Sequence, residues 1–470
     1  MRIRARGRDA LVVPSPRLPV LRHPHDREIV RLAVPAFGAL VAEPLFLLVD
    51  SAIVGHLGTP QLAGLGVAGS LLGTAVSLCV FLAYGTTAGV ARRVGAGDQR
   101  AAIGLGVDGM WLAAGLGVAI ALAGLVVAEP LIDAFGTSSS ATPHALTYLR
   151  VSLPGIPAML VVMAATGVLR GLQDTVTPLV VAVVGAAANI ALNIALVYGL
   201  DMGIAGSALG TVIAQIGMAV AFVVVVVRGA RRHAAPLRPD LRGILTAGST
   251  GVPLLLRTLT LRAALLVMAY VATAQGTRSV AAHQLAFTIW IFLALALDAV
   301  AIAGQAIAGR YLGAGDIHGT RAATRRILEW GLAAGVLLGL LVVALRFAYI
   351  PLFTQDLAVR ELLGSVLVVA AVFQPVAGAV FALDGVLIGA GDGRYLAWAG
   401  GLTLLAFLPL AFWVLAVDGG LVALWWAFGA FMVARLVTLL WRERGQAWLV
   451  PGAEHPRHRG DGGVRGARGA

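Results

Sequence analysis

Twelve apolar segments follow one another along the chain, separated by short polar stretches: 30–54, 62–90, 103–128, 144–168, 176–198, 204–227, 244–271, 280–308, 327–349, 360–387, 395–417 and 420–441. Each reaches the ~20 residues that a helix needs to cross the hydrocarbon of a bilayer. No interval between two segments is long enough to hold a soluble domain. The pattern predicts an all-α polytopic membrane protein with twelve transmembrane helices. The 59 glycines, many of them inside the segments, suit close packing of helices in lipid.

Composition sharpens this reading. Hydrophobic residues make up 59% and charged residues only 12% of the 470 residues, against about 25% charged in a soluble domain. A cytosolic enzyme, a disordered regulator and a disulfide scaffold are thereby excluded. All 35 cationic residues are Arg, and there is no Lys. The chain can form neither a Walker A phosphate loop nor a Schiff base, which argues against direct ATP coupling. Cys79 is the one cysteine and lies in an apolar run, where a free thiol packs as a small hydrophobe. We find no metal-ligand cluster, no Ser-His-Asp arrangement and no redox pair, so no enzyme, cofactor or resident metal is expected.

The net charge of +12 reflects orientation rather than nucleic-acid binding. With the amino terminus inside, 28 Arg fall in inner loops and tails and three in outer loops, while Arg150, Arg257, Arg262 and Arg435 lie within spans. This positive-inside bias predicts a multi-pass plasma-membrane protein with both termini cytoplasmic, its partners being lipid and small solutes. Residues 1–27 and 442–470 are polar and Arg-rich and are expected to be disordered tails.

The chain also repeats itself at an offset of 218: Val34-Pro35 with Val252-Pro253, Gly58-Thr59 with Gly276-Thr277, Arg92 with Arg310, Gly95-Ala96-Gly97-Asp98 with Gly313-Ala314-Gly315-Asp316, and Leu169, Gly171 and Asp174 with Leu387, Gly389 and Asp392. It divides into halves at 28–227 and 244–441, joined by the Arg-rich loop 228–243. Six spans per half make the repeat parallel. Such repeats mark secondary transporters, with the substrate near mid-membrane between halves that rock. The Gly-Ala-Gly-Asp blocks have no preceding strand and read as tight turns rather than phosphate sites.

Charges inside the spans carry the candidate chemistry, since they are costly in the bilayer. The first half has Glu43 and Asp50 in span 1 and Asp108 near the inner end of span 3. Glu43 and Asp50 lie about 10.5 Å apart along one helix face, with Pro44 between them inviting a kink. Carboxylates with no cation beside them at low dielectric bind a proton readily or ligate Na⁺ with neighbouring oxygens. Asn189, Asn193, Thr211, Gln215 and Tyr148 are the candidate neighbours. The second half has Arg257 and Arg262 in span 7, Asp298 in span 8 and Asp384 in span 10, a set expected to pair across the lobe. His283 and Gln284 are expected at the mouth of the cavity.

Several runs resemble multidrug and toxic compound extrusion (MATE) transporters of the DinF-like branch: EPLFLLVDSAIVGHLG over 43–58, LRGLQDT over 169–175, NIALN over 189–193, GIAGSALGT over 203–211, AAHQ over 281–284 and LDGVLIGAGD over 383–392. The resemblance covers about 28–441. It implies two six-helix lobes around a V-shaped cavity, a monomer, and antiport of organic, often cationic, compounds against H⁺ or Na⁺. It assigns Asp50 to the family's first-helix coupling acid, with Asn189 and Thr211 as polar partners. Asn193 stands where some members carry Asp, which removes a second carboxylate. Asp384 matches an acid used in a second-lobe site of other members. A flippase for lipid-linked glycans or lipids, of the same wider superfamily, is the alternative, with Arg257 and Arg262 as its phosphate ligands.

Overall fold

The computed structural model describes residues 24–453, and among these every regular element is helical. Twelve helices are long and apolar enough to span a membrane: Pro24–Gly55, Thr59–Gly95, Gln99–Ala134, Thr142–Gly171, Val176–Gly199, Gly203–Arg232, Leu241–Ala274, Thr277–Gly313, Ile317–Phe353, Leu357–Gly389, Gly393–Ala416 and Gly420–Arg444. We number them spans 1–12. Span 2 is interrupted at Cys79-Val80 and span 4 by a 3-10 turn at Leu153–Gly155, and span 5 ends in a π turn at Ala195–Gly199. Span 1 remains one helix through both Pro35 and Pro44.

The repeat is visible in the packing. In the first lobe, Gly167 and Gly171 of span 4 lie against the Ala83 and Thr87 carbonyls of span 2; in the second, Gly385 and Gly389 of span 10 lie against the Ala301 and Gln305 carbonyls of span 8. Each pair of contacts maps onto the other at the 218 offset. Without side chains the two helix backbones approach closely, which is how helices gain packing energy where lipid removes the hydrophobic drive. The Gly-Ala-Gly-Asp blocks are turns, as expected. Gly97 and Gly315 take φ of +81° and +77°, and Asp98 and Asp316 cap the next helices by accepting from Ala101 N at 2.8 Å and Gly319 N at 2.7 Å.

Two large apolar cores result, one per lobe, with a small cluster of Ala36, Ala299 and Ile302 where span 1 meets span 8. Span 1 belongs to both, because Ile29 and Leu32 pack in the second lobe's core and Val54 in the first lobe's. The lobes touch chiefly through span 1, span 8 and the second part of span 2 (Phe81–Gly95). At the Arg-rich ends this contact is close and reciprocal: Gly95 abuts the Arg310 carbonyl and Gly313 the Arg92 carbonyl. The first part of span 2 (Thr59–Leu78) makes little contact with the second lobe, so the lobes diverge away from the Arg-rich ends.

Two expectations for the tails need correction. Span 1 begins at Pro24, inside the predicted tail, and its first turns are fixed to the second lobe. Asp26 is fully buried and accepts from Arg326 at 2.5 and 3.0 Å and from Trp330 Nε1 at 2.9 Å. Span 12 runs to Arg444, and the segment after it is packed, with Trp448 wholly buried in the second core. A single large aromatic side chain supplies the apolar area that the polar composition of this tail conceals. The remainder of both predicted tails lies outside the described residues.

Candidate functional site

Asp50 sits near the carboxy-terminal end of span 1, 2% exposed, where spans 4, 5 and 6 converge on it. Its Oδ1 accepts from Asn193 Nδ2 at 2.7 Å and Ser207 Oγ at 2.5 Å, and its Oδ2 from Tyr148 OH at 3.3 Å. Asn193 also donates to Asn189 Oδ1 at 3.2 Å, and Asn189 donates to Thr211 Oγ1 at 3.0 Å. The helical period explains the assembly: Asn189 and Asn193, and likewise Ser207 and Thr211, are four residues apart on one face. All the donors to Asp50 are neutral, and among the described residues no Arg pairs with it. Asn193 Oδ1 is buried and has no partner.

Asn189 and Thr211 also line a cavity of about 270 Å³, together with Glu43, Tyr84, Arg170 and Gln215 of the first lobe and Asp298 of span 8. Met159, Met163 and Met218 supply part of its apolar wall. A hydrogen-bonded chain of Thr211, Asn189 and Asn193 thus runs from the cavity wall to the Asp50 carboxylate.

The second lobe places its acid in the opposite environment. Asp384 Oδ2 accepts from Arg257 Nη2 at 2.7 Å and also from Arg435 Nη2. All three side chains are largely removed from solvent, so Asp384 is a carboxylate held by two cations.

A family model described as MatE matches residues 35–195 and 253–413. The chain belongs to the MATE family. The two matched stretches are displaced by the same 218 residues as the repeat. Protein DETOXIFICATION 44, chloroplastic, of Arabidopsis thaliana is 31% identical, the match covering 88% of this chain and 81% of that protein. DNA damage-inducible protein F of Escherichia coli is 30% identical over 90% of this chain and 94% of its own. Among solved structures, the Vibrio cholerae MATE transporter VcmN in its bent form superposes with a TM-score of 0.81 at 24% identity, covering 90% of this chain and 96% of that one. Family and fold are those of multi-pass membrane transporters of the multidrug efflux class, not of enzymes.

Within this MATE transporter several expected site residues lie elsewhere. Glu43 faces the cavity and is not bonded to Asp50. Tyr148, a candidate neighbour of the span 1 acids, donates to Asp50 and does not line the cavity. Arg262 is exposed and outside the Asp384 cluster, because five residues turn a helix by about 140° beyond one full turn and carry it off the Arg257 face. Asp298 forms no ion pair with Arg257 and instead lines the cavity beside Arg170. His283 is buried between Phe287 and Trp425, with ring centroids at 5.9 and 6.0 Å, and Gln284 is exposed; neither borders the cavity. Gln215 does. Asp108 accepts from the Asp240 backbone at 3.1 Å and anchors the interlobe loop.

Three residues escaped the sequence reading. Ser207 stands in the run 203–211, four residues before Thr211, and that spacing is its signal in the sequence. Arg435 was an intramembrane cation in want of an acid. Arg170, just beyond the apolar segment 144–168, lies within span 4 and reaches the cavity.

Proposed function

We propose that this transporter is an efflux antiporter that exchanges organic, cationic compounds for H⁺ or Na⁺, with Asp50 as the coupling group. The observation that carries this reading is a buried carboxylate held by three neutral donors and no cation. Such an anion at low dielectric is poorly compensated, and a proton or a sodium ion supplies the missing charge. Asn193 Oδ1, buried without a partner, is available to either: after rotation of the amide it accepts from a protonated Asp50, and as it stands it can ligate Na⁺. Asp384 is unsuited to this task, since two guanidinium groups already neutralise it.

Binding at Asp50 changes what Asn193 and Asn189 can donate, and Asn189 lines the cargo cavity, which gives the ion and the cargo a shared set of side chains. In the cavity, Glu43 and Asp298 outnumber Arg170, a balance that favours cationic cargo. It disfavours the flippase reading, because Arg257 is committed to Asp384, Arg262 lies outside the cavity, and Arg170, the cation that lines it, faces two acids there. The test is transport of a fluorescent organic cation by proteoliposomes under an imposed pH or Na⁺ gradient. Movement under one gradient is expected and names the ion. Movement under neither, with scrambling of a labelled anionic lipid, would replace this reading with the flippase.

A further inference from the structure

Arg92 and Arg310 are equivalent in the repeat, yet their charges are met differently. Arg310 pairs with Glu28 at 2.7 Å and donates to Gln173 Oε1 at 3.1 Å. The position equivalent to Glu28 in the other half is Thr246, and among the described residues no carboxylate pairs with Arg92. Arg92 is nevertheless 3% exposed. It spends its donors on main-chain carbonyls: Ala390 at 2.9 Å, at the end of span 10, and Val450 at 2.6 Å and Gly452 at 3.2 Å in the segment after span 12. That segment is fixed to the second lobe by Trp448, whose ring is buried and whose Nε1 donates to the Glu443 carbonyl at 2.9 Å, and by Gly452 N, which donates to the Leu312 carbonyl at 2.9 Å.

We infer that Arg92 and residues 446–452 form a latch that holds the two lobes together at their Arg-rich ends. Arg92 is rooted in the first lobe and all its acceptors in the second, so the lobes cannot part there unless a buried guanidinium loses its carbonyls together. An unpartnered buried cation is strongly disfavoured, so the latch opens as a unit. It biases the transporter toward the conformation closed at that end, and Arg92 acts as a positioning residue rather than a ligand of cargo or ion. The inference rests on the rocking of two lobes in the proposed cycle, but not on Asp50, the coupling ion or the cargo.

The test is the distance between spin labels at Gln99→Cys and His318→Cys, exposed positions at the Arg-rich end of each lobe, measured in nanodiscs by pulsed EPR with Cys79→Ala and without gradient or cargo. Trp448→Ala and Arg92→Gln should each raise the long-distance population severalfold. Arg92→Lys, which keeps the charge but loses the fork, should fall between Arg92→Gln and the parent. The double variant should match the single ones, because both break one device. Unchanged distance distributions in Arg92→Gln, or additive effects, would overturn the inference. Should Trp448→Ala not yield folded protein, the ordering of Arg92→Gln, Arg92→Lys and the parent decides it alone. Loss of transport in an Asp50 variant with these distances intact would bear on the proposed function and leave the latch standing.

Discussion

Asp50 and Asp384 are both buried acids, and their neighbours give them opposite surroundings: neutral donors for one, two guanidinium groups for the other. Removing the charge at Asp384 leaves Arg257 and Arg435 buried without a partner, which costs about 3–5 kcal/mol where such pairs have been broken. Asp384→Asn should therefore lower the unfolding temperature in detergent sharply, with transport lost along with the fold. Asp50→Asn removes an anion that no cation answers, so its unfolding temperature should stay close to the parent's. Ser207→Ala removes the shortest hydrogen bond to Asp50 (2.5 Å) and should impair gradient-driven transport at unchanged expression. At this scale the sequence was informative about acids and less so about their partners. An intramembrane Asp announces itself by its cost, but whether Arg257, Arg262 or Arg435 answers it depends on helix rotation, and a serine among small residues carries no signal of its own.

The elements were the most legible feature, because the hydrocarbon thickness and the Gly-Asp turns are both written locally. What the apolar runs could not show is which glycines meet a neighbouring helix. Gly385 lies against the Ala301 carbonyl, whereas nothing lies within 4 Å of where a Cβ at Gly401 would stand. Gly385→Ala should thus force span 10 from span 8 and lower stability by about 1–3 kcal/mol, the usual cost of overpacking. Gly401→Ala should leave it unchanged or raise it slightly, by the helix propensity of about 1 kcal/mol. The Gly167→Ala variant, its contact with Ala83 being the counterpart of that between Gly385 and Ala301, should behave as Gly385→Ala does. Thermal unfolding of the purified variants checks the whole set.

For the whole molecule, the repeat predicted two lobes with the same internal packing, and the helix contacts follow it. It did not predict that span 1 would share its amino-terminal end with the other lobe through Asp26 and Arg326, because the acid and the base are 300 residues apart and have no paired counterpart in the repeat. The orientation assigned by the Arg bias has a direct test. Cys79 is the one native thiol and is buried. In intact cells an impermeant maleimide should label Gln355→Cys, between spans 9 and 10, and should reach His318→Cys, in the exposed first turn of span 9, only after permeabilisation. The reverse pattern would invert the orientation.

In the proposed function the uncompensated carboxylate of Asp50 couples ion movement to cargo movement. Its most direct test is cargo accumulation in proteoliposomes by parent and Asp50→Asn protein reconstituted at equal density, under the gradient that drives the parent. Asp50→Asn should retain a monodisperse fold and cargo binding but show no gradient-driven accumulation. Accumulation at the parent's rate by Asp50→Asn would contradict that coupling role.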